Sequence, residues 1–125
     1  MIKGIIFDWI GTLAISSEEV FPYSEKVLGK LSINYKLSLI SMTKFDIAER
    51  RKEIEKSGLN QYFRHVIIDV VEYPEQYLEC MRKMGTNPKT TLVVDDRIVG
   101  GIKIGNQLGC ETIWIRSGKY ARELP

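Results

Sequence analysis

The sequence has few of the residues that build metal-thiolate sites and disulfide frameworks. Its 125 residues include two cysteines, Cys80 and Cys110, and a single histidine, His65. The cysteines are 30 positions apart and form no CxxC pair, so neither a zinc site nor a disulfide scaffold is indicated. We expect two buried, reduced thiols in an intracellular chain. His65 stands at the start of an apolar run, where we expect a structural role.

Long apolar runs and a strong net charge are also missing. No stretch approaches the roughly 20 apolar residues of a membrane span, and the apolar run of "MIKGIIFD" is too short for a signal peptide. The net charge of +2 is too small to favour nucleic acid as a partner. We therefore expect a cytoplasmic chain that binds neither membrane nor nucleic acid, and the sequence indicates no oligomeric state. The 44% of hydrophobic residues suffices for the core of one domain over 1–125.

Apolar runs alternate with helical patterns along the whole chain. The runs predict strands over 3–8, 36–41, 64–69, 90–95 and 111–116. Between them the spacing predicts helices over 16–33, with Ser16 or Ser17 as cap, and over 44–59, 74–85 and 97–109. This alternation predicts an α/β fold, a doubly wound, Rossmann-like sheet of five parallel strands with helices on both faces. The polar tail 116–125 is predicted to be a surface segment.

Polar residues stand where three of the predicted strands end. Asp8 ends the first strand, Ser41 the second, and Asp95 and Asp96 the fourth. In parallel sheets these ends meet at the edge where ligands bind. Clustered carboxylates repel each other and attract a hard cation such as Mg²⁺, beside which an aspartate can attack phosphorus. Each residue alone is more often a cap or turn residue, but three such ends together favour a site.

The order of these motifs resembles that of a known superfamily. "IIFDWIGTL" (5–13) is similar to motif I of the haloacid dehalogenase-like superfamily, usually four apolar residues followed by DxDGT. "LSLIS" resembles its second motif, and "TTLVVDD" lies where its acidic fourth motif is found. The match keeps motif order over nearly the whole chain. The chain is therefore identified as a member of this superfamily, with degenerate motifs.

The resemblance implies specific roles at the sheet edge. Asp8 would be the nucleophile and would bind Mg²⁺ together with Asp96 and the backbone carbonyl of Ile10. A phosphorylated small molecule or macromolecule would be the substrate. Its phosphoryl oxygens would be bound by the hydroxyl of Ser41 and by backbone N–H groups of the residues that follow the two strands: Trp9, Gly11 and Met42. The N–H groups of Gly11 and Thr12, in a tight loop, could also hold phosphate oxygens.

Two departures from the superfamily pattern concern charge. Ile10 replaces the second aspartate of DxD, which protonates the leaving group and activates water. General acid–base help of this kind is typically worth about 10²–10⁴ in rate. The lysine of the third motif is missing, and Val71 and Glu72 stand near its expected position. Lys44 or Arg97 is a possible substitute for it.

A third departure is the absence of a cap domain. Leu13 and Ser41 are 28 positions apart, and Ser41 and Val71 are 30 apart, and both intervals are needed for the core elements. A capless core has an open site, which suits larger substrates. The resulting hypothesis is a Mg²⁺-dependent phosphatase weakened by Ile10, which favours substrates with good leaving groups. The alternative is a catalytically impaired binding or interaction protein, and a less favoured third is metal-independent dehalogenation.

Overall fold

A computed structural model describes residues 1–116 and residue 122. The tail predicted over 116–125 therefore lies almost wholly outside the described residues. No helix in the described ranges is long and apolar enough to span a membrane. Both cysteines are free and buried, which confirms that part of the prediction.

Five parallel strands form one sheet in the order β3-β2-β1-β4-β5. The strands are β1 (Gly4–Phe7), β2 (Lys36–Met42), β3 (Phe63–Asp69), β4 (Thr91–Asp95) and β5 (Glu111–Trp114). The helices between them are α1 (Ser24–Asn34), α2 (Ile47–Lys56), α3 (Pro74–Met84) and α4 (Lys103–Leu108), and short helical turns cover Leu59–Tyr62, Pro88–Thr90 and Ile98–Ile102. The predicted α/β, doubly wound, five-stranded fold is confirmed. Among the described residues, neither the β1–α1 nor the β2–β3 connection contains a separate cap.

The two faces of the sheet carry separate cores, because alternate residues of a strand point to opposite faces. Ile5, Phe7 and Leu39 pack on one face with Leu28 of α1 and Ile54 of α2. On the other face, Ile6 and Ile40 of the strands pack against side chains of α3: Tyr77, Cys80 and Met81. With both faces covered near its centre, the sheet holds the carboxyl ends of β1, β2 and β4 in fixed relative positions.

The first helix begins eight residues later than predicted, at Ser24 instead of residue 16. The chain after β1 folds into a tight loop in which Leu13 and Ala14 donate to the carbonyl of Trp9, at 2.8 and 2.9 Å. Ala14 then pairs with Val20, and the Ser24 hydroxyl donates to the Leu13 carbonyl at 2.7 Å. The helical spacing of residues 16–23 was misleading, because bonds to more distant residues replace helical hydrogen bonds in this part of the chain.

Two other helices are shorter than their sequence pattern indicates. α2 begins at Ile47 and not at residue 44, since the Asp46 side chain accepts from the N–H groups of Ala48 and Glu49 and so caps it. The helix predicted over 97–109 is interrupted at Gly100, which has non-helical backbone angles, and its regular part starts at Lys103. This interruption shapes the loop that follows β4.

Candidate active site

Three carboxylates meet at the carboxyl edge of the sheet. Asp8 follows β1, and Asp95 and Asp96 lie at the end of the adjacent strand β4. One carboxylate oxygen from each lies within 4.8 Å of the others. The Asp8 N–H donates to the Val94 carbonyl at 3.0 Å, so the backbone ladder between the two strands extends into the site. The structure thus brings Asp8 and Asp96 together and adds Asp95 to them.

The carboxylates of this cluster disfavour one another's charge. Burial raises the pKa of Asp8 well above its usual range, and the charges of Asp95 and Asp96 and a hydrogen bond with Asp96 raise it further. Burial also raises the pKa of Asp95 to about 7, helped by its hydrogen bond with Asp96 and by the charge of Glu72. Ionising such a cluster at neutral pH requires positive charge close by. An oxygen-only donor set of this kind suits a hard divalent cation.

Asp95 is held in place by the loop that it precedes. Its Oδ1 accepts from the N–H groups of Asp96 and Arg97, at 2.7 and 3.2 Å, and its Oδ2 accepts from the Gly101 N–H at 2.9 Å. A methyl group on Gly101 would overlap Asp95 Oδ2, so only glycine allows this approach. Asp95 therefore both contributes charge and fixes the chain that carries Asp96.

The loop after Asp8 also approaches the cluster closely. Gly11 has a φ of 90°, and a side chain there would overlap Asp96 Oδ2. Its N–H donates to the Ala14 carbonyl at 2.7 Å, so the N–H predicted to hold phosphate is used inside the loop. The Ile10 carbonyl accepts no hydrogen bond from the described residues, which leaves it available to a ligand.

The N–H groups of Trp9 and Thr12, which were also predicted to hold phosphate, are engaged as well. The Trp9 N–H bonds to the Asp8 carboxylate and lowers its pKa slightly against the larger effects of burial and charge. The Thr12 N–H donates to the Trp9 carbonyl at 3.2 Å. The N–H groups of the loop are thus used in hydrogen bonds within the loop and to the Asp8 carboxylate. Phosphate binding by Trp9 and Gly11 stays a prediction that would require these bonds to rearrange.

Ser41 lies beside a cation, Arg50, that the sequence motifs do not indicate. The hydroxyl is fully buried and accepts from Arg50 Nη1 at 2.7 Å, while the Met42 carbonyl accepts from the same nitrogen at 3.1 Å. Lys44, considered as a substitute for the missing lysine, is exposed. Arg50 stands nine residues after Ser41, in the first turn of α2. The sequence of this helix is rich in charged residues, so nothing in it distinguishes Arg50 from the solvent-exposed ones.

A carboxylate stands near the place expected for the third-motif lysine. Glu72 follows β3 in a short loop that Gln76 fixes, since Gln76 Nε2 donates to Asp69 Oδ2 at 3.1 Å and to the Val71 carbonyl at 3.0 Å. Glu72 accepts a hydrogen bond from the buried Tyr77 hydroxyl. Burial raises the pKa of Glu72, while the Tyr77 bond and the Arg97 charge lower it. The negative charge of Glu72 raises the pKa of Asp95, so this loop makes the surroundings of the cluster more negative.

The lone histidine makes its hydrogen bond to another element, away from the carboxylate cluster. His65 Nε2 lies 2.5 Å from Glu79 Oε2, and this pair joins β3 to α3. The hydrogen bond from His65 lowers the pKa of Glu79. This position agrees with a structural role.

Residues 6–115 match the model of a single protein family. The matched range runs from β1, which leads into Asp8, through β4 with Asp95 and on to β5. The chain belongs to the haloacid dehalogenase-like (HAD) hydrolase family. The superfamily identified from the motifs is thus confirmed, and so is the HAD-like architecture of the core.

Curated relatives of this HAD-like hydrolase include two archaeal glyceraldehyde 3-phosphate phosphatases. The protein of Pyrococcus abyssi is 27% identical over 104 residues, which are 78% of this chain and 43% of that protein. The protein of Pyrococcus furiosus is 27% identical over 75 residues, which are 56% of this chain and 31% of that protein. The chain therefore spans less than half the length of these relatives.

Solved structures of similar proteins share the fold over nearly all of the chain. A HAD-superfamily hydrolase from Geobacter sulfurreducens has a TM-score of 0.78 at 15% identity, covering 100% of this chain and 92% of that one. A HAD family enzyme from Bacteroides thetaiotaomicron, in complex with magnesium and inorganic phosphate, has a TM-score of 0.76 at 16% identity, covering 95% and 96%. Identities this low show a common fold.

Proposed function

We propose that this chain is a Mg²⁺-dependent phosphatase core in which Asp8 attacks the phosphorus of a phosphorylated substrate. The observation that carries the proposal is the cluster of Asp8, Asp95 and Asp96, whose oxygens lie within 4.8 Å at the carboxyl edge of the sheet. The curated relatives named as phosphatases support a phosphorylated substrate. The open edge, without a cap among the described residues, suits a phosphorylated macromolecule as well as a small molecule.

The donor set fits the cation. Asp8 and Asp96 would hold Mg²⁺ together with the Ile10 carbonyl, which has no other partner in the described ranges. Asp95, held by three backbone N–H groups at the end of β4, would support them. Mg²⁺ bound there would offset the mutual repulsion of the carboxylates and the charge of the phosphoryl group. The raised pKa values of Asp8 and Asp95 support this, because a bound cation would favour the charged forms of both carboxylates.

The reaction would take place in two displacements at phosphorus. A carboxylate oxygen of Asp8 forms a bond to phosphorus, and the bond from phosphorus to the leaving oxygen breaks with its electron pair. Water then attacks the phosphorus of the aspartyl-phosphate, the Asp8–phosphorus bond breaks, and inorganic phosphate leaves with the Asp8 carboxylate restored. Solvent supplies the proton of the leaving oxygen and takes the proton of the attacking water, because Ile10 can do neither.

This proton balance determines the substrates that react well. A phosphate ester of an ordinary alcohol, such as glyceraldehyde 3-phosphate, has a poor leaving oxygen that needs a proton. An aryl or acyl phosphate has a leaving oxygen stable as an anion and loses less from the missing acid. We therefore expect slow turnover with a strong preference for aryl and acyl phosphates.

The test is an assay with an aryl phosphate and Mg²⁺ on the wild-type chain and on Asp8→Asn. The expected result is slow, Mg²⁺-dependent release of phosphate by the wild type and none by Asp8→Asn. Asp46→Asn is the matched control, since asparagine caps a helix about as well as aspartate and Asp46 caps α2. Equal phosphate release by the wild type and Asp8→Asn would contradict the proposal.

The second candidate function is that of a HAD-fold binding or interaction protein without turnover. The observation that favours it is Glu72, a carboxylate near the place expected for a lysine, together with Ile10 in place of an acid–base group. Such a protein would bind metal or phosphate and release no product from a broad panel of phosphate esters. Detection of a phosphoryl group on Asp8 by mass spectrometry, after rapid acid quenching, would exclude it.

A further inference from the structure

The guanidinium group of Arg50 reaches from α2 to the end of β2. Its Nη1 donates to Ser41 Oγ at 2.7 Å and to the Met42 carbonyl at 3.1 Å, and its Nε donates to Glu53 Oε1 at 3.1 Å. The Arg50 side chain is only 14% exposed. A long, charged side chain is fixed in this way by three acceptors from two elements, which ordinary surface arginines are not.

Arg50 still has donors to offer. A guanidinium carries five N–H groups, and the bonds to Glu53, Ser41 and Met42 use the Nε proton and both protons of Nη1. Nη2 makes no hydrogen bond to any described residue. It is not fully buried, so it has contact with solvent. Two N–H groups of fixed direction are therefore free to meet an anion.

The Ser41 hydroxyl is oriented by the same contact. Since Ser41 Oγ accepts from Arg50, its own proton is left to donate, and no acceptor for it lies among the described residues. Arg50 Nη1 and the Ser41 hydroxyl thus form one hydrogen-bonded donor group, in which the hydroxyl is fully buried and Nη2 has contact with solvent.

Ser41 stands at the same carboxyl edge of the sheet as Asp8, on the neighbouring strand. β2 pairs with β1, and Leu39 is the partner of Phe7. Asp8 comes one residue after this pair and Ser41 two residues after it, on strands that lie about 4.8 Å apart. The carboxylates Asp8, Asp95 and Asp96 repel a phosphate dianion, and Glu72 adds to this repulsion.

We propose that Arg50 is the phosphoryl-binding cation of this site, held by Glu53 and Met42 and acting together with the Ser41 hydroxyl. It takes over the charge of the missing lysine from a different element, α2 in place of the loop before α3. Arginine suits the task because its guanidinium group always carries its charge and, with Nε and Nη1 bonded to the protein, still offers the two N–H groups of Nη2. The inference builds on the proposed phosphatase site, but it concerns anion binding and requires no turnover.

The test measures binding of inorganic phosphate in the presence of Mg²⁺ by calorimetry, and KM for an aryl phosphate, on the same variants. Arg50→Gln is expected to weaken phosphate binding and raise KM by roughly 10- to 100-fold, the usual effect of losing charge-assisted hydrogen bonds. Arg50→Lys is expected to recover part of this loss. Arg51→Gln, on an exposed position of the same helix, and Lys44→Gln, at the alternative cation, are expected to bind phosphate like the wild type.

Urea unfolding of the same variants separates binding from structure. If Arg50 only ties α2 to β2, Arg50→Gln loses stability but binds phosphate with wild-type affinity, and the inference is wrong. It is also wrong if Lys44→Gln carries the loss or if the wild type binds no phosphate at all. If phosphate binding depends on Arg50 while no aryl phosphate is hydrolysed, the inference stands and the phosphatase proposal fails.

Discussion

The carboxylate cluster should make the metal-free protein less stable as pH rises through neutrality. Unfolded Asp95 releases its proton near the ordinary pKa of 3.8, whereas the folded protein holds it up to a pKa of about 7. Between these values the folded state binds more protons than the unfolded state, so the free energy of unfolding falls with rising pH. About three pH units at 1.36 kcal/mol each give a loss of roughly 4 kcal/mol, spread between about pH 4 and pH 7. Asp8, raised for the same reasons, changes in the same direction.

Urea unfolding followed by tryptophan fluorescence, at pH 4 to 8 with a chelator, measures this loss. Asp95→Asn keeps the bonds from the Asp96 and Arg97 N–H groups but turns an amide donor toward Gly101, which costs about 1–3 kcal/mol at every pH. Its dependence on pH should be much weaker, so the two curves converge toward pH 8. Mg²⁺ should restore wild-type stability at pH 8. Glu55→Gln, at an exposed carboxylate, should run parallel to the wild type. An equal slope in wild type and Asp95→Asn would refute the reasoning.

Three further predictions concern single positions. Gly11→Ala should abolish Mg²⁺ binding, measured by calorimetry, because the new methyl group overlaps Asp96 Oδ2. The control is Gly58→Ala, at a glycine with a similar φ and open space around it. This variant should keep its Mg²⁺ affinity and lose about 1–2 kcal/mol of stability. Ile10→Asp should raise hydrolysis of alkyl phosphates by about 10²–10⁴-fold, and no gain would mean that more than the acid–base group is missing. Cys80 is fully buried with its pKa raised by burial to about 12, so it should react with a thiol reagent at pH 8 only on unfolding, and fast reaction in the folded protein would contradict its burial.

Most of the fold follows from local patterns in the sequence. The strands could be located because apolar runs such as 4–7 and 37–40, the second interrupted by Ser38, are what a sheet covered on both faces requires. The helix ends were less predictable. Ser24 begins α1 because its hydroxyl bonds to the Leu13 carbonyl, eleven residues earlier, and no local pattern contains that contact. The bonds of the 9–14 loop decide the course of the chain up to Pro22.

The site could be predicted only where it depends on position along a strand. Asp8, Asp95 and Asp96 were found because strand ends in a parallel sheet share one edge. Arg50 was not, because its role depends on a side chain that reaches across from a helix, and the same residue on an amphipathic helix is usually solvated. The double use of Asp95, as charge and as acceptor for three N–H groups, depends on the irregular turn at Gly100 and is equally hidden in the sequence.

The charges of the site explain why these substitutions occur together. Relative to the superfamily pattern, Ile10 in place of an aspartate removes one negative charge. Glu72, near the place of a lysine, makes the site more negative by two charges, because a positive charge is lost and a negative charge is gained. The site is therefore more negative by one charge, which weakens binding of a phosphoryl dianion. Arg50 at Ser41 adds one positive charge on the opposite side of Asp8 from β4 and so restores the balance. On this argument the site keeps the charge needed to bind a phosphoryl group, while the proton transfer once supplied at position 10 is not replaced. Its chemistry is then limited by the leaving group and not by binding.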